Sequence, residues 1–114
     1  MGVRYSTAAK RELTDAARHY NRQRSGLGEE FLNDVRRVAN LVDDNPGLDS
    51  LLGDGCRSLV LNRFPFRLVY ELEDTGVQIL AVAHQKRRPD YWRGRVEERK
   101  SHYVVLPQVA AQLR

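Results

Sequence analysis

Phe66-Arg67-Leu68-Val69-Tyr70-Glu71-Leu72-Glu73, then Asp74-Thr75-Gly76, then Val77-Gln78-Ile79-Leu80-Ala81-Val82-Ala83-His84: this stretch decides the fold. In its first part Phe66, Leu68, Tyr70 and Leu72 alternate with Arg67, Val69, Glu71 and Glu73. A period of two is that of a strand with two unlike faces. Asp74-Thr75-Gly76 is a tight hairpin signal. The second part is apolar on both parities apart from Gln78, as a central, well-covered strand would be. Upstream, residues 56–61 read as a further strand, with Asn62-Arg63-Phe64-Pro65 as its turn.

The first half has a different period. After a short alternating start (Val3, Tyr5) that suits an edge strand, Ser6 is placed to cap a helix through its hydroxyl. Ala9, Leu13, Ala16, Ala17 and Tyr20 then recur at helical spacing, and the small residues among them allow a neighbouring helix to approach closely. Arg24-Ser25-Gly26 breaks the run. Leu27, Phe31, Val35, Val38 and Val42 begin a second one, with Glu29 and Glu30 in its first turn where negative charge complements the helix dipole. Asn45-Pro46-Gly47 ends it. So short a connection predicts an antiparallel helical hairpin. The expected fold is therefore α+β, that hairpin packed on a small antiparallel sheet of three to four strands. Residues 46–55, six of the ten being Gly, Pro or Asp, read as a flexible insertion.

Composition narrows the function classes. The chain has 114 residues, enough for one domain. Its net charge is +4, unevenly spread: residues 1–54 hold eight basic and nine acidic side chains, residues 55–114 eleven and six. No run of apolar residues approaches the roughly 18–20 that a membrane-spanning helix needs. The first residues lack the apolar core of a signal peptide, which points to the cytoplasm. Cys56 has no second cysteine to pair with, and His19, His84 and His102 show no metal-ligand spacing. No Gly-rich phosphate loop and no Ser-His-Asp or Cys-His pattern is present.

The densest chemistry is His84-Gln85-Lys86-Arg87-Arg88-Pro89-Asp90-Tyr91-Trp92, three consecutive cations followed by two aromatics. Guanidinium groups match phosphate or carboxylate oxygens, and the rings offer stacking faces. The same set suits docking on an acidic protein surface, for which Tyr, Trp and Arg are the usual anchors. The plainer alternative is a solvated basic turn with Trp92 folded back over the sheet. Arg57 and Arg67, on neighbouring strands, would join Lys86, Arg87 and Arg88 on one cationic face if the pairing aligns them. Otherwise each serves a local salt bridge. His84 is the one ring beside the patch able to exchange a proton near neutral pH.

Taken in order, several segments resemble a known family: Leu27-Gly28-Glu29-Glu30-Phe31-Leu32, Asn45-Pro46, Arg63-Phe64-Pro65-Phe66-Arg67-Leu68-Val69-Tyr70, Ile79 through His84, and Arg87-Arg88-Pro89-Asp90-Tyr91-Trp92. The chain is similar over residues 4–95 to the RelE/ParE superfamily of type II toxins, which are encoded beside a small antitoxin and often labelled plasmid-stabilisation proteins. The resemblance implies a toxin domain over residues 1–95, with 96–114 as a C-terminal extension that is either partly disordered or an added contact surface. It implies growth arrest, a cognate antitoxin, and neither a cofactor, a metal nor a small-molecule substrate.

The superfamily divides in two. ParE-like members poison DNA gyrase. RelE-like members cut mRNA on the ribosome without a metal, using the RNA's own 2′-hydroxyl. For the second kind the resemblance implies catalytic roles for Arg67, at the reacting phosphate, and Tyr91, stacking on or activating the substrate. His84 or Lys86 would then be the base. The chain departs from that pattern, because Ser58, Val60 and Asn62 stand around Arg57 where the nucleases carry lysines, and Gln85 stands at the place of a second Arg. The segment from His84 to Trp92 looks more like the ParE side. The resemblance therefore implies a gyrase-directed toxin, with a ribosome-dependent endoribonuclease as the alternative and a degenerate binding module as a third. Its target- or antitoxin-binding residues would be drawn from Arg57, Arg63, Arg67, Lys86, Arg87, Arg88, Tyr91 and Trp92. An antitoxin's acidic residues would cover the groove near Arg57, Arg67 and Arg87.

Overall fold

A computed structural model describes residues 2–45, 50–53, 56–88 and 90–95. The extension expected at 96–114, including a terminal helix at 96–100 and a β-prone run at 103–106, lies outside the described residues.

Ser6 caps the first helix as its hydroxyl suggested, accepting from the Ala9 N–H at 3.1 Å. Helix α1 runs Thr7–Gln23 and helix α2 Leu27–Asp44. The three residues between them include Gly26 at φ 87°. This is the left-handed region where a Cβ is costly, and it turns α2 back along α1. The close approach expected from Ala9, Ala16 and Ala17 occurs at Gly28. That residue is buried and donates its N–H to Asn21 Oδ1 at 2.8 Å. A Cβ on Gly28 would meet the Ala17 carbonyl and lie 2.8 Å from Asn21 Cγ. Because the first obstacle is backbone, Gly28→Ala is expected to lower stability by about 1–3 kcal/mol, the usual range for overpacking. Urea denaturation measures it, and an unchanged midpoint would mean that the hairpin can part at no cost.

Five strands form the sheet: β1 (Val3–Tyr5), β2 (Ser50–Gly53), β3 (Cys56–Val60), β4 (Phe66–Glu73) and β5 (Gly76–His84), in the order β1-β5-β4-β3-β2. The four strands β2 to β5 are antiparallel, as expected. β1 adds a fifth strand and pairs parallel to β5, with Tyr5 opposite Ile79. One expectation is corrected: part of the supposed insertion at 46–55 is strand β2, whose Ser50 pairs with Ser58. An edge strand needs only backbone hydrogen bonds to its neighbour, so turn-forming composition did not exclude it.

The helix-facing side of the sheet carries the main core. Phe31, Val35, Val38 and Val42 of α2 pack with Leu68, Tyr70, Ile79 and Val82. Tyr20, Phe31, Phe64 and Phe66 form an aromatic cluster, with centroids 4.9 Å apart for Tyr20–Phe64 and for Phe31–Phe66. The opposite face is also covered. Cys56, Val69, Leu80, Ala81 and Trp92 make a second, smaller cluster. A bulge explains why β5 is apolar on both parities. Val69 pairs with Ala81 and Tyr70 with Ile79, which leaves Leu80 without a β4 partner. The extra residue lets Leu80 and Ala81 share one face, while Ile79 and Val82 serve the other.

Candidate functional site

Behind the sheet, between the end of β5 and the segment that follows it, lies an open cleft of about 340 Å³. Its lining is Arg67, Ala83, His84, Gln85, Arg87, Arg88, Tyr91 and Trp92. Arg67 reaches it from β4, where it pairs with Ala83 on one side and Val60 on the other. Its Nη1 donates to Ser58 Oγ at 2.7 Å, which steadies the guanidinium on the sheet. The turn after β5 is anchored by the Gln85 N–H on the Pro65 carbonyl (2.9 Å) and the Arg87 N–H on the His84 carbonyl (3.0 Å). His84 stands edge-on to Phe66 at 5.0 Å, and its Nδ1 accepts the Lys86 N–H at 3.0 Å. That bond requires the lone pair on Nδ1, so the neutral ring carries its proton on Nε2.

Tyr91 and Trp92 close the far wall. Trp92 is 2% exposed and belongs to the second core cluster. It has folded back over the sheet, the plainer of the two roles considered for it, and its packing fixes the depth of the cleft. Tyr91 is half-buried, and the Arg87 guanidinium lies over its ring at 3.9 Å, a cation–π contact. The Tyr91 hydroxyl donates to Glu12 Oε2 at 2.7 Å. Burial first, then the hydrogen bond to Glu12 and its charge, push the phenol well above its ordinary range, against Arg95 and Arg87. The bond to Glu12 is also what raises Arg95 further, with burial acting the other way.

Six of the candidate residues thus converge on the cleft: Arg67, His84, Arg87, Arg88, Tyr91 and Trp92. Lys86 is exposed in the same turn and does not line the cleft. Arg57 belongs elsewhere. It pairs with Tyr70, on the helix-facing side of the sheet, whereas Arg67 pairs with Val60. Residues 57 and 60 have opposite parity, so Arg57 and Arg67 occupy opposite faces and the expected shared cationic face does not include Arg57. Arg63 is held at the helices by Glu30, with Nη2 to Oε1 at 2.7 Å, and lies over the Phe64 ring at 5.3 Å. Arg63 and Arg24 together hold the Glu30 carboxyl below the usual range.

Glu12 is the residue that sequence reasoning missed. Besides Tyr91 it accepts from the Val82 N–H at 2.9 Å and from Arg95 at 2.9 and 3.1 Å. The signal was available, since position 12 follows Ala9 by three and precedes Ala16 by four, on the apolar stripe of α1. An acid on a buried stripe asks for a partner. Among the described residues, no three or more His, Cys, Asp or Glu come together in a group able to hold a metal ion. No described helix is long and apolar enough to cross a membrane.

Comparison with known proteins agrees with this architecture. The family model described as "ParE toxin of type II toxin-antitoxin system, parDE" matches residues 3–89. A chain of the solved structure "Chromosomal ParDE TA system from P. aeruginosa" superposes with a TM-score of 0.61 at 20% identity, over 74% of this chain and 95% of that one. No curated protein matches.

Proposed function

This chain belongs to the ParE toxin family of type II toxin–antitoxin systems, and we propose that it arrests growth by inhibiting DNA gyrase until a cognate antitoxin neutralises it. One observation carries the choice of a binding toxin over a nuclease. Of the groups that proton transfer would need, two are already engaged, and the third, Lys86, does not line the cleft. The Tyr91 hydroxyl donates to Glu12, and His84 Nδ1 accepts from the Lys86 N–H. A general base needs a free lone pair aimed at the substrate, and the Tyr91 phenol, held above its ordinary range, is a poor source of a phenolate. What the cleft offers instead is a set of guanidinium groups over an aromatic wall. That arrangement binds acidic surface well and moves protons badly.

The same charge supports a place for the antitoxin over the cleft. The basic half of the chain presents Arg67, Arg87 and Arg88 at one opening, so an acidic antitoxin segment laid over the cleft would gain both steering and affinity. Arg57 and Arg63 would lie outside that footprint.

Induced expression in a bacterial host tests the reading. Growth should stop, chromosomal double-strand breaks and an SOS response should follow, and co-expression of the neighbouring acidic reading frame should restore growth. Codon-phased mRNA cleavage in the arrested cells would overturn the gyrase assignment in favour of the endoribonuclease. Undisturbed growth with soluble protein present would leave only a degenerate binding module.

A further inference from the structure

We infer that Glu12 is the positioning residue of the cleft: from α1 it holds the segment after β5 in the orientation that lays the Tyr91 ring beneath Arg87. Glu12 acts where β1 has run out beside β5. The last β1 pair is Tyr5 with Ile79, after which the Ser6 N–H meets the Ile79 carbonyl at 2.9 Å and the Ser6 hydroxyl meets the Leu80 carbonyl at 3.3 Å. The Val82 N–H, further along β5, is taken by Glu12 Oε1 instead of by a strand. Arg95 joins the same junction, with Nη1 shared between Glu12 and the Leu80 carbonyl at 3.0 Å. One carboxylate therefore fastens α1, the bulged part of β5 and the segment of Tyr91 and Arg95. The Glu12 and Arg95 side chains are 16% and 24% exposed, so water competes weakly for these charge-assisted bonds.

The effect reaches the cleft through a single ring. The hydroxyl end of Tyr91 is pinned by Glu12, and its faces receive Arg87 at 3.9 Å and Arg95 at 5.0 Å. Without the pin the ring can turn away, and Arg87 loses the platform that aims it at a partner. A partner would then have to order the cation at its own cost, which lowers affinity. Glu12 does not line the cleft and acts only through Tyr91. Its role is to preorganise.

The test uses the full chain with Glu12→Ala, Glu12→Gln and Tyr91→Phe. Trp92, the chain's single tryptophan, neighbours Tyr91 and reports on the segment by fluorescence. Glu12→Ala should red-shift Trp92 emission and bring the Tyr91 phenol back towards ordinary titration. It should also weaken antitoxin binding at least about tenfold, the equivalent of one good hydrogen bond. Glu12→Gln, which keeps one oxygen for the Val82 N–H and presents an amide NH2 that the Tyr91 hydroxyl oxygen can accept, should recover part of the loss. Tyr91→Phe, which keeps the ring and removes the pin, should fall between wild type and Glu12→Ala in emission and affinity. A Glu12→Ala chain that is merely less heat-stable, with emission, titration and affinity as in wild type, overturns the inference. Should that variant fail to fold, unchanged emission and affinity in Tyr91→Phe overturn it equally. The affinity arm rests on the proposed toxin function, but the two spectroscopic arms do not. A wild-type chain that ignores the antitoxin would therefore refute that function while leaving the positioning role to be decided by Trp92 and Tyr91.

Discussion

Phe31→Ala is expected to cost about 3–5 kcal/mol of folding stability, the range for emptying a buried aromatic position. Phe31 is fully buried, and its ring touches three separate parts of the fold. Tyr20 of α1 lies at 5.3 Å, Phe64 of the β3–β4 turn at 5.2 Å, and Phe66 of β4 at 4.9 Å, centroid to centroid. Removing the ring forfeits its transfer from water and leaves a void that rigid neighbouring rings cannot collapse into. It also dissolves tilted and edge-on aromatic pairs that contribute beyond area alone. Domains of this size are stable by only about 5–15 kcal/mol in total, so the variant should be close to unfolding at physiological temperature. Denaturant titration is the measurement. The midpoint should fall sharply with little change in slope. A loss below about 1 kcal/mol would show that Tyr20 and Phe64 relax into the space, contrary to the packing described.

The second large effect concerns the cleft. Charge reversal at both Arg67 and Arg87 should weaken antitoxin binding about 100-fold or more, since like charges brought together at an interface cost several kcal/mol. The two residues differ in what else they hold. Arg67 is tied to Ser58, so part of its effect would come from a disturbed sheet face. Arg87 is exposed and rests on the Tyr91 ring, so its effect should be almost wholly on binding. Calorimetry of each single variant and of the double variant against the proposed antitoxin, with circular dichroism to confirm folding, separates the two contributions. Unchanged affinity in a folded double variant would place the antitoxin away from this cleft. The matched variant Arg63→Glu is the control, because Arg63 faces Glu30 at the helices and should affect stability more than binding.

The cleft was only partly legible before folding. Arg87, Arg88, Tyr91 and Trp92 are close in sequence, and their chemistry could be read directly from the order of residues. Arg67 could be placed on a strand, but its face relative to Arg57 depended on pairing register, which a single chain does not display. A shift of one residue would have put Arg57 on its face in place of Ser58. Strand β2 was hidden because its stabilising partner, β3, supplies hydrogen bonds that no local propensity records. Val69 reads as the apolar odd member of a polar face. Its full burial comes from Trp92, some twenty residues downstream, and from the bulge at Leu80.

By itself the sequence determined the elements whose causes are local. The cap at Ser6, the two apolar stripes of the helices, the break at Gly26, the alternation of β4 and the tight turn into β5 all arise from neighbouring residues, and each appears where its chemistry requires. Only the tertiary structure decided which side chains meet. Glu12 and Tyr91 are separated by 79 positions, Arg63 and Glu30 by 33, and the two faces of the sheet are sorted by register and one bulge. The physical reason is range. Backbone preferences act over a turn or a strand, whereas a carboxylate selects its donors from whatever packing brings within 3 Å, and here that selection shapes the cleft.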